Sequence, residues 1–124
     1  MFALFAAGYY WFPLLTGRWY DRRLARLHFW LSAVGVLGTF VPLLVLGTAG
    51  LPSRMATYPP RFVPLQQVAT VFTYVLGIGQ LTWLYNVAAS AYRGERVASP
   101  DPWDLRELPF DSREWEWFAD RFEE

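Results

Sequence analysis

The reactive side chains of this 124-residue chain are few in kind: one imidazole, no thiol, no lysine, and eleven arginines facing eleven acids. Without cysteine there is no disulfide framework, thiolate metal site or cysteine nucleophile. A single histidine cannot build a multi-histidine metal centre or a bis-histidine haem site. That histidine, His28, stands where an apolar stretch begins. It could handle protons or ligate, but the expected role is an interfacial ring, packed and half wet. Gln80 and Asn86 fall inside a second long stretch without charge. Polar groups there must find partners, so interhelical hydrogen bonding is expected, with a hydrated path or a cofactor edge as the sharper alternative. Arg54 and Arg61 flank a proline-rich segment. Guanidiniums in such a place hold lipid headgroups or structural partners, or in the sharper reading a cofactor carboxylate held bidentately. The carboxylate pairs Asp101/Asp104 and Glu114/Glu116 have nothing apolar around them in sequence, so general acid or base catalysis is not expected of them. No phosphate-binding loop and no nucleic-acid signature is present.

The elements that must position these groups follow from composition. The chain is 54% hydrophobic and 19% aromatic, yet its mean hydropathy is only +0.15, which implies an apolar part joined to a polar one. Residues 1–17, 27–53 and 62–92 carry no charge. A bilayer core needs about 20 apolar residues as helix, so the second and third stretches can span and the first resembles a partial span. The expected architecture is all-α and membrane-embedded, with spans over about residues 1–16, 27–47 and 65–92. Pro42 should kink the second helix, while Pro59, Pro60 and Pro64 forbid regular helix before Leu65. Ala69, Thr73 and Gly77 form a small-residue stripe, as do Ala3 and Ala7, which implies that these spans dock against other helices. Residues 1–96 read as the membrane region and 97–124 as an irregular acidic tail, in which Ser112–Phe122 could form a short helix.

Charge placement sets an expected topology. Residues 1–96 hold eight arginines and two acids, net +6, whereas residues 97–124 hold three arginines and nine acids, net −6. Arg18, Arg22, Arg23 and Arg26 crowd one loop and Arg93 and Arg96 follow the last span, but only Arg54 and Arg61 lie between. Under the positive-inside rule the 17–26 loop and the tail are cytoplasmic, and the 51–64 loop lies outside a cell membrane. The first segment has no basic leader and no small-residue cleavage site, so it is not a signal peptide. An apolar run beginning at Met1 with no polar flank suggests that Met1 is internal to a longer protein.

Five pieces in order, Tyr9–Arg18 (YYWFPLLTGR), Leu24–Leu31 (LARLHFWL), Gly50–Pro60 (GLPSRMATYPP), Leu84–Glu95 (LYNVAASAYRGE) and the tail elements DPWDL and REWEW, together resemble the C-terminal part of subunit I of the haem-copper terminal oxidases, the cytochrome c oxidase family. The resemblance implies the last three helices of a twelve-helix bundle, a C-terminal fragment of a subunit that reduces oxygen to water coupled to proton translocation. Haem and copper would belong to the full subunit, with their ligands upstream of Met1 and none in this chain. The family's outer loop carries paired arginines for haem propionates, and the matching pair reads Ser53-Arg54, which leaves Arg54 as the cofactor-binding residue. The family's aromatic-proline-x-histidine near the top of its eleventh helix is Val41-Pro42-Leu43-Leu44 here. Implied partners are the N-terminal helices of the subunit, other subunits such as subunit II, cytochrome c or quinol as donor, and the lipid bilayer. The alternative is a stand-alone, non-catalytic small membrane protein acting as an accessory or assembly subunit.

Overall fold

A computed structural model describes residues 1–52, 54–99, 102–103 and 120. Ser53, the four paired acids of the tail and all of the expected 112–122 helix except Asp120 lie outside the described residues. The chain forms α1 (Phe2–Thr16), α2 (Arg22–Thr48) and α3 (Val63–Arg93), the last entered through a 3-10 turn at Pro60–Phe62. Among the described residues there is no strand. The all-α expectation therefore holds, and two helices, α2 and the run Pro60–Arg93, are long and apolar enough to cross a membrane. At 15 residues α1 is shorter than that, about 22 Å against a core of about 30 Å.

Two helix starts differ from expectation. The second begins at Arg22 rather than Leu27, because arginine is a good helix former and Asp21 supplies a residue of the N-capping type just before it. The third begins at Val63 rather than Leu65. Pro64 then falls in the first turn, where its missing N–H would have had no intrahelical partner. Helix α2 runs continuously through Pro42 to Thr48.

By contacts the chain divides into two compact units, Met1–Asp21 with Val87–Glu124, and Arg22–Asn86. In the second unit, α2 buries His28, Ser32, Gly35, Thr39, Pro42 and Leu46, at alternating steps of four and three. Most of its large apolar residues, among them Phe29, Trp30, Leu37, Phe40 and Leu44, are exposed. That is the reverse of a water-soluble helix: small residues let the helix backbones approach, while bulky ones point away from the seam. The seven-residue period is that of left-handed helix pairs. A Cβ on Gly35 would come 2.7 Å from the Leu76 nitrogen, one on Gly38 would overlap the Phe72 ring, and one on Gly79 would come 3.2 Å from Leu31 and Ser32.

Of the expected stripe, Ala69 is buried and Thr73 reaches α2, whereas nothing lies within 4 Å of a Cβ on Gly77. A spacing of four advances about 40° around the helix at each step, so a third member leaves the seam. Alternating steps keep Ala69, Leu76 and Gly79 on it. The far end of α2 closes as a Schellman motif, with Gly50 at φ 90, the Leu51 N–H donating to the Leu46 carbonyl at 3.0 Å and the Gly50 N–H to Gly47 at 3.2 Å.

In the first unit, α1 ends on Gly17 at φ 64, whose N–H donates to the Pro13 carbonyl at 2.9 Å. The next residues pair antiparallel with those after α3: the Trp19 N–H donates to the Glu95 carbonyl at 2.8 Å and the Val97 N–H to Gly17 at 2.9 Å. The Arg18 guanidinium caps α3 by donating to the carbonyls of Tyr92 (2.9 Å) and Gly94 (3.2 Å). Leu14 and Val97 form a small core with Tyr10 and Trp19. Trp103 stacks on Tyr10 at 6.1 Å, meets Trp19 edge-on at 5.0 Å, and donates its indole N–H to the Tyr10 carbonyl at 3.2 Å.

Candidate functional site

Arg54 stands in the turn beyond the Schellman end of α2. It takes φ 64, the one positive φ outside glycine among the described residues. A left-handed backbone costs a residue with a Cβ about 1–2 kcal/mol, so the turn holds Arg54 against its own preference. Its side chain is exposed, and its guanidinium has no hydrogen-bond or ion-pair partner among the described residues. Among the described residues nothing competes with a carboxylate ligand for its N–H donors. Arg61 is placed differently. Its guanidinium carbon lies 4.6 Å over the ring of buried Phe62, a cation–π contact at the start of the 3-10 turn. No described bond joins Arg61 to Arg54.

The second candidate group lies on the α2–α3 seam. His28 is only 3% exposed, so the half-wet interfacial ring expected from the sequence is not found. The earlier start of α2 moves His28 to the second turn, where the seven-residue pattern turns it onto the seam. It shares a hydrogen bond with the side chain of Gln80. The Gln80 amide also donates to Ser32 Oγ at 3.2 Å and to its own Leu76 carbonyl at 3.4 Å. The interhelical bond expected of Gln80 is thus present, with Ser32 and His28 as its partners. Further along, the hydroxyls of Thr39 and Thr73 meet at 3.3 Å. Thr73 spends its proton on the Ala69 carbonyl at 2.9 Å, so Thr39 is the donor between them. Asn86 is fully buried on α3.

Among the described residues no group of three or more metal-ligating side chains comes together. Ser32, Thr39 and the glycines opposite them were not among the expected residues, although His28, Ser32, Gly35, Thr39 and Pro42 carry a legible signal: small or polar residues at steps of four and three inside an apolar run. Arg18 as a helix cap and Trp103 as a packing residue were missed as well. Their partners are about 75 to 93 positions away, beyond any local pattern.

Comparison with known proteins bears on these placements. The family model for cytochrome C and quinol oxidase polypeptide I matches residues 1–87, a range that takes in α1, α2, the Arg54 turn and most of α3. The cytochrome c oxidase polypeptide 1 of Halobacterium salinarum is 50% identical over 117 residues, which are 94% of this chain and 20% of that protein. The cytochrome c oxidase subunit 1 of Corynebacterium diphtheriae is 42% identical over 105 residues, 83% of this chain and 19% of that protein. That of Synechocystis sp. is 41% identical over 102 residues, 82% of this chain and 18% of that protein. The chain thus spans about a fifth of the length of the curated relatives it matches.

Proposed function

This chain belongs to the cytochrome C and quinol oxidase polypeptide I family, and on that premise we propose that it serves as the C-terminal part of the catalytic subunit of a respiratory terminal oxidase. The whole subunit reduces O2 to water with electrons from cytochrome c or quinol and couples the reaction to proton translocation. Haem and copper supply the redox chemistry when bound, on ligands outside this chain. What this chain contributes is structure and one charge. Its helices make three passes, with the 17–26 loop and the acidic 97–124 segment on the cytoplasmic side and the 51–64 loop outside. Residues 1–96 form the embedded part, which packs on the remaining helices of the subunit and alongside other oxidase subunits such as subunit II.

The observation that carries the assignment within the chain is Arg54. An exposed guanidinium without a described partner, held in a fixed turn just past a membrane-capable helix, has the chemistry to hold a haem propionate. It would donate N–H bonds to the carboxylate and bring a positive charge near the haem edge. At this pair of positions only Arg54 carries a guanidinium, since the residue before it is Ser53. The test is Arg54→Ala in the complete subunit, followed by haem analysis and redox titration of the purified oxidase. A shifted haem midpoint potential or a lowered haem content is expected. Unchanged values of both would remove Arg54 from the site, and a complete protein that binds no haem would remove the functional assignment itself.

A further inference from the structure

We infer that Arg18, Arg93 and Arg96, gathered at the end of α3, bind the phosphate headgroup of an anionic phospholipid. Backbone pairing brings the three together. Arg18 and Arg96 face one another across the antiparallel bridge. The Arg18 guanidinium is fixed on the carbonyls of Tyr92 and Gly94, one residue to either side of Arg93. Gly94 is what permits this approach, since a Cβ there would overlap the Ser90 carbonyl. The Arg93 and Arg96 guanidiniums have no ion-pair partner among the described residues. Glu95 lies between them in sequence, and in the extended segment after α3 it points to the face opposite its neighbour Arg96. Like charges directly opposed across a bridge repel, and an anion bridging them offsets that cost.

The depth of the cluster identifies the anion. One exposed face of α3 is apolar through Leu81, Leu84 and Tyr85 and ends at Tyr92, which is 83% exposed. An exposed tyrosine closing an apolar face sits at headgroup level, and Arg93 follows it directly. A phosphate presented there comes from the bilayer, and a negatively charged headgroup is favoured over a zwitterionic one.

The inference is tested on the assembled oxidase containing this chain, taken from nanodiscs of mixed phosphatidylglycerol and phosphatidylcholine, with retained lipid counted by native mass spectrometry. The double variant Arg93→Gln/Arg96→Gln leaves the Arg18 cap in place. Each arginine near the surface contributes about fivefold in binding, so the pair should lower phosphatidylglycerol retention roughly 25-fold without changing that of phosphatidylcholine. Arg93→Lys/Arg96→Lys should keep most of the preference. Undiminished phosphatidylglycerol in the glutamine variant overturns the inference. So does displacement of the lipid by millimolar inorganic phosphate, which would make this a site for the free ion. If the glutamine variant leaves lipid unchanged but speeds proteolysis within residues 104–124, the arginines serve the acidic segment and the lipid assignment falls. Should that variant fail to assemble, the unsubstituted complex decides: a preference for phosphatidylglycerol that disappears at high salt supports the site, and equal retention of both lipids at low salt overturns it.

Discussion

At Arg54 the backbone and the side chain make separate contributions, and two substitutions divide them. Alanine removes the guanidinium but keeps a Cβ at φ 64. Glycine removes both, and relieves a left-handed conformation that costs a Cβ-bearing residue about 1–2 kcal/mol. If the guanidinium acts on the haem, Arg54→Ala and Arg54→Gly should change haem potential and content alike, while the glycine variant unfolds at the higher temperature. A haem effect in one variant only would tie the change to the turn and not to the charge. Gln80 offers a second residue-scale test, because its amide links α3 to both Ser32 and His28. Buried bonds between membrane helices couple by about 0.6 kcal/mol and at most about 1.7 kcal/mol. Gln80→Leu and Ser32→Ala, singly and together, should show a coupling of that size in a thermal-stability cycle, and additive effects would mean that the bond contributes nothing. Arg54 could be picked out in the sequence from its resemblance to the family loop. Its backbone conformation could not, since a positive φ at arginine has no local signature.

At the scale of helices, packing is decided by which small residues share a seam. Gly35 and Gly77 are both glycines inside membrane-capable helices, yet a methyl group would meet Leu76 backbone at the first and open space at the second. Gly35→Ala should therefore destabilise by about 1–3 kcal/mol through forced backbone shifts, whereas Gly77→Ala should be neutral or stabilising by about 1 kcal/mol, since alanine favours helix. Equal effects of the two on the thermal transition would contradict the observed seam. This contrast also shows what was legible beforehand. The existence and rough extent of α2 and α3 followed from charge-free runs longer than a bilayer needs. Their starts did not, because Arg22–Arg26 read as loop by charge and Pro64 as a breaker, although arginine and a first-turn proline both suit helix. Nor did the register, since a stripe at a spacing of four imitates the true alternation for two members before it drifts. His28 was misplaced for the same reason, as one helical turn separates an interfacial position from a buried one.

For the molecule as a whole, sidedness is the property that connects the arginines to the proposed roles, because Arg54 follows α2 in the chain whereas Arg18 precedes α2 and Arg93 closes α3. The family match fixes what kind of subunit this is and leaves direction to be measured. Arginine placement predicts it: four arginines at positions 18–26 and two more at 93 and 96, against Arg54 and Arg61 alone in the intervening loop. The chain contains no cysteine, so a single introduced thiol reports one position within it. Thr57 and Asp21 are both exposed, in the loop after α2 and just before α2 respectively. In intact cells, Thr57→Cys in the complete subunit should react with an impermeant maleimide and Asp21→Cys should react only after the membrane is opened, with labelling of the unsubstituted protein as the baseline. The reverse pattern would turn the helices over, placing Arg54 on the cytoplasmic side, where a clamp for an outward-facing propionate has no role. Labelling of both from outside would mean that α2 does not cross, and the three-pass arrangement would fall with it.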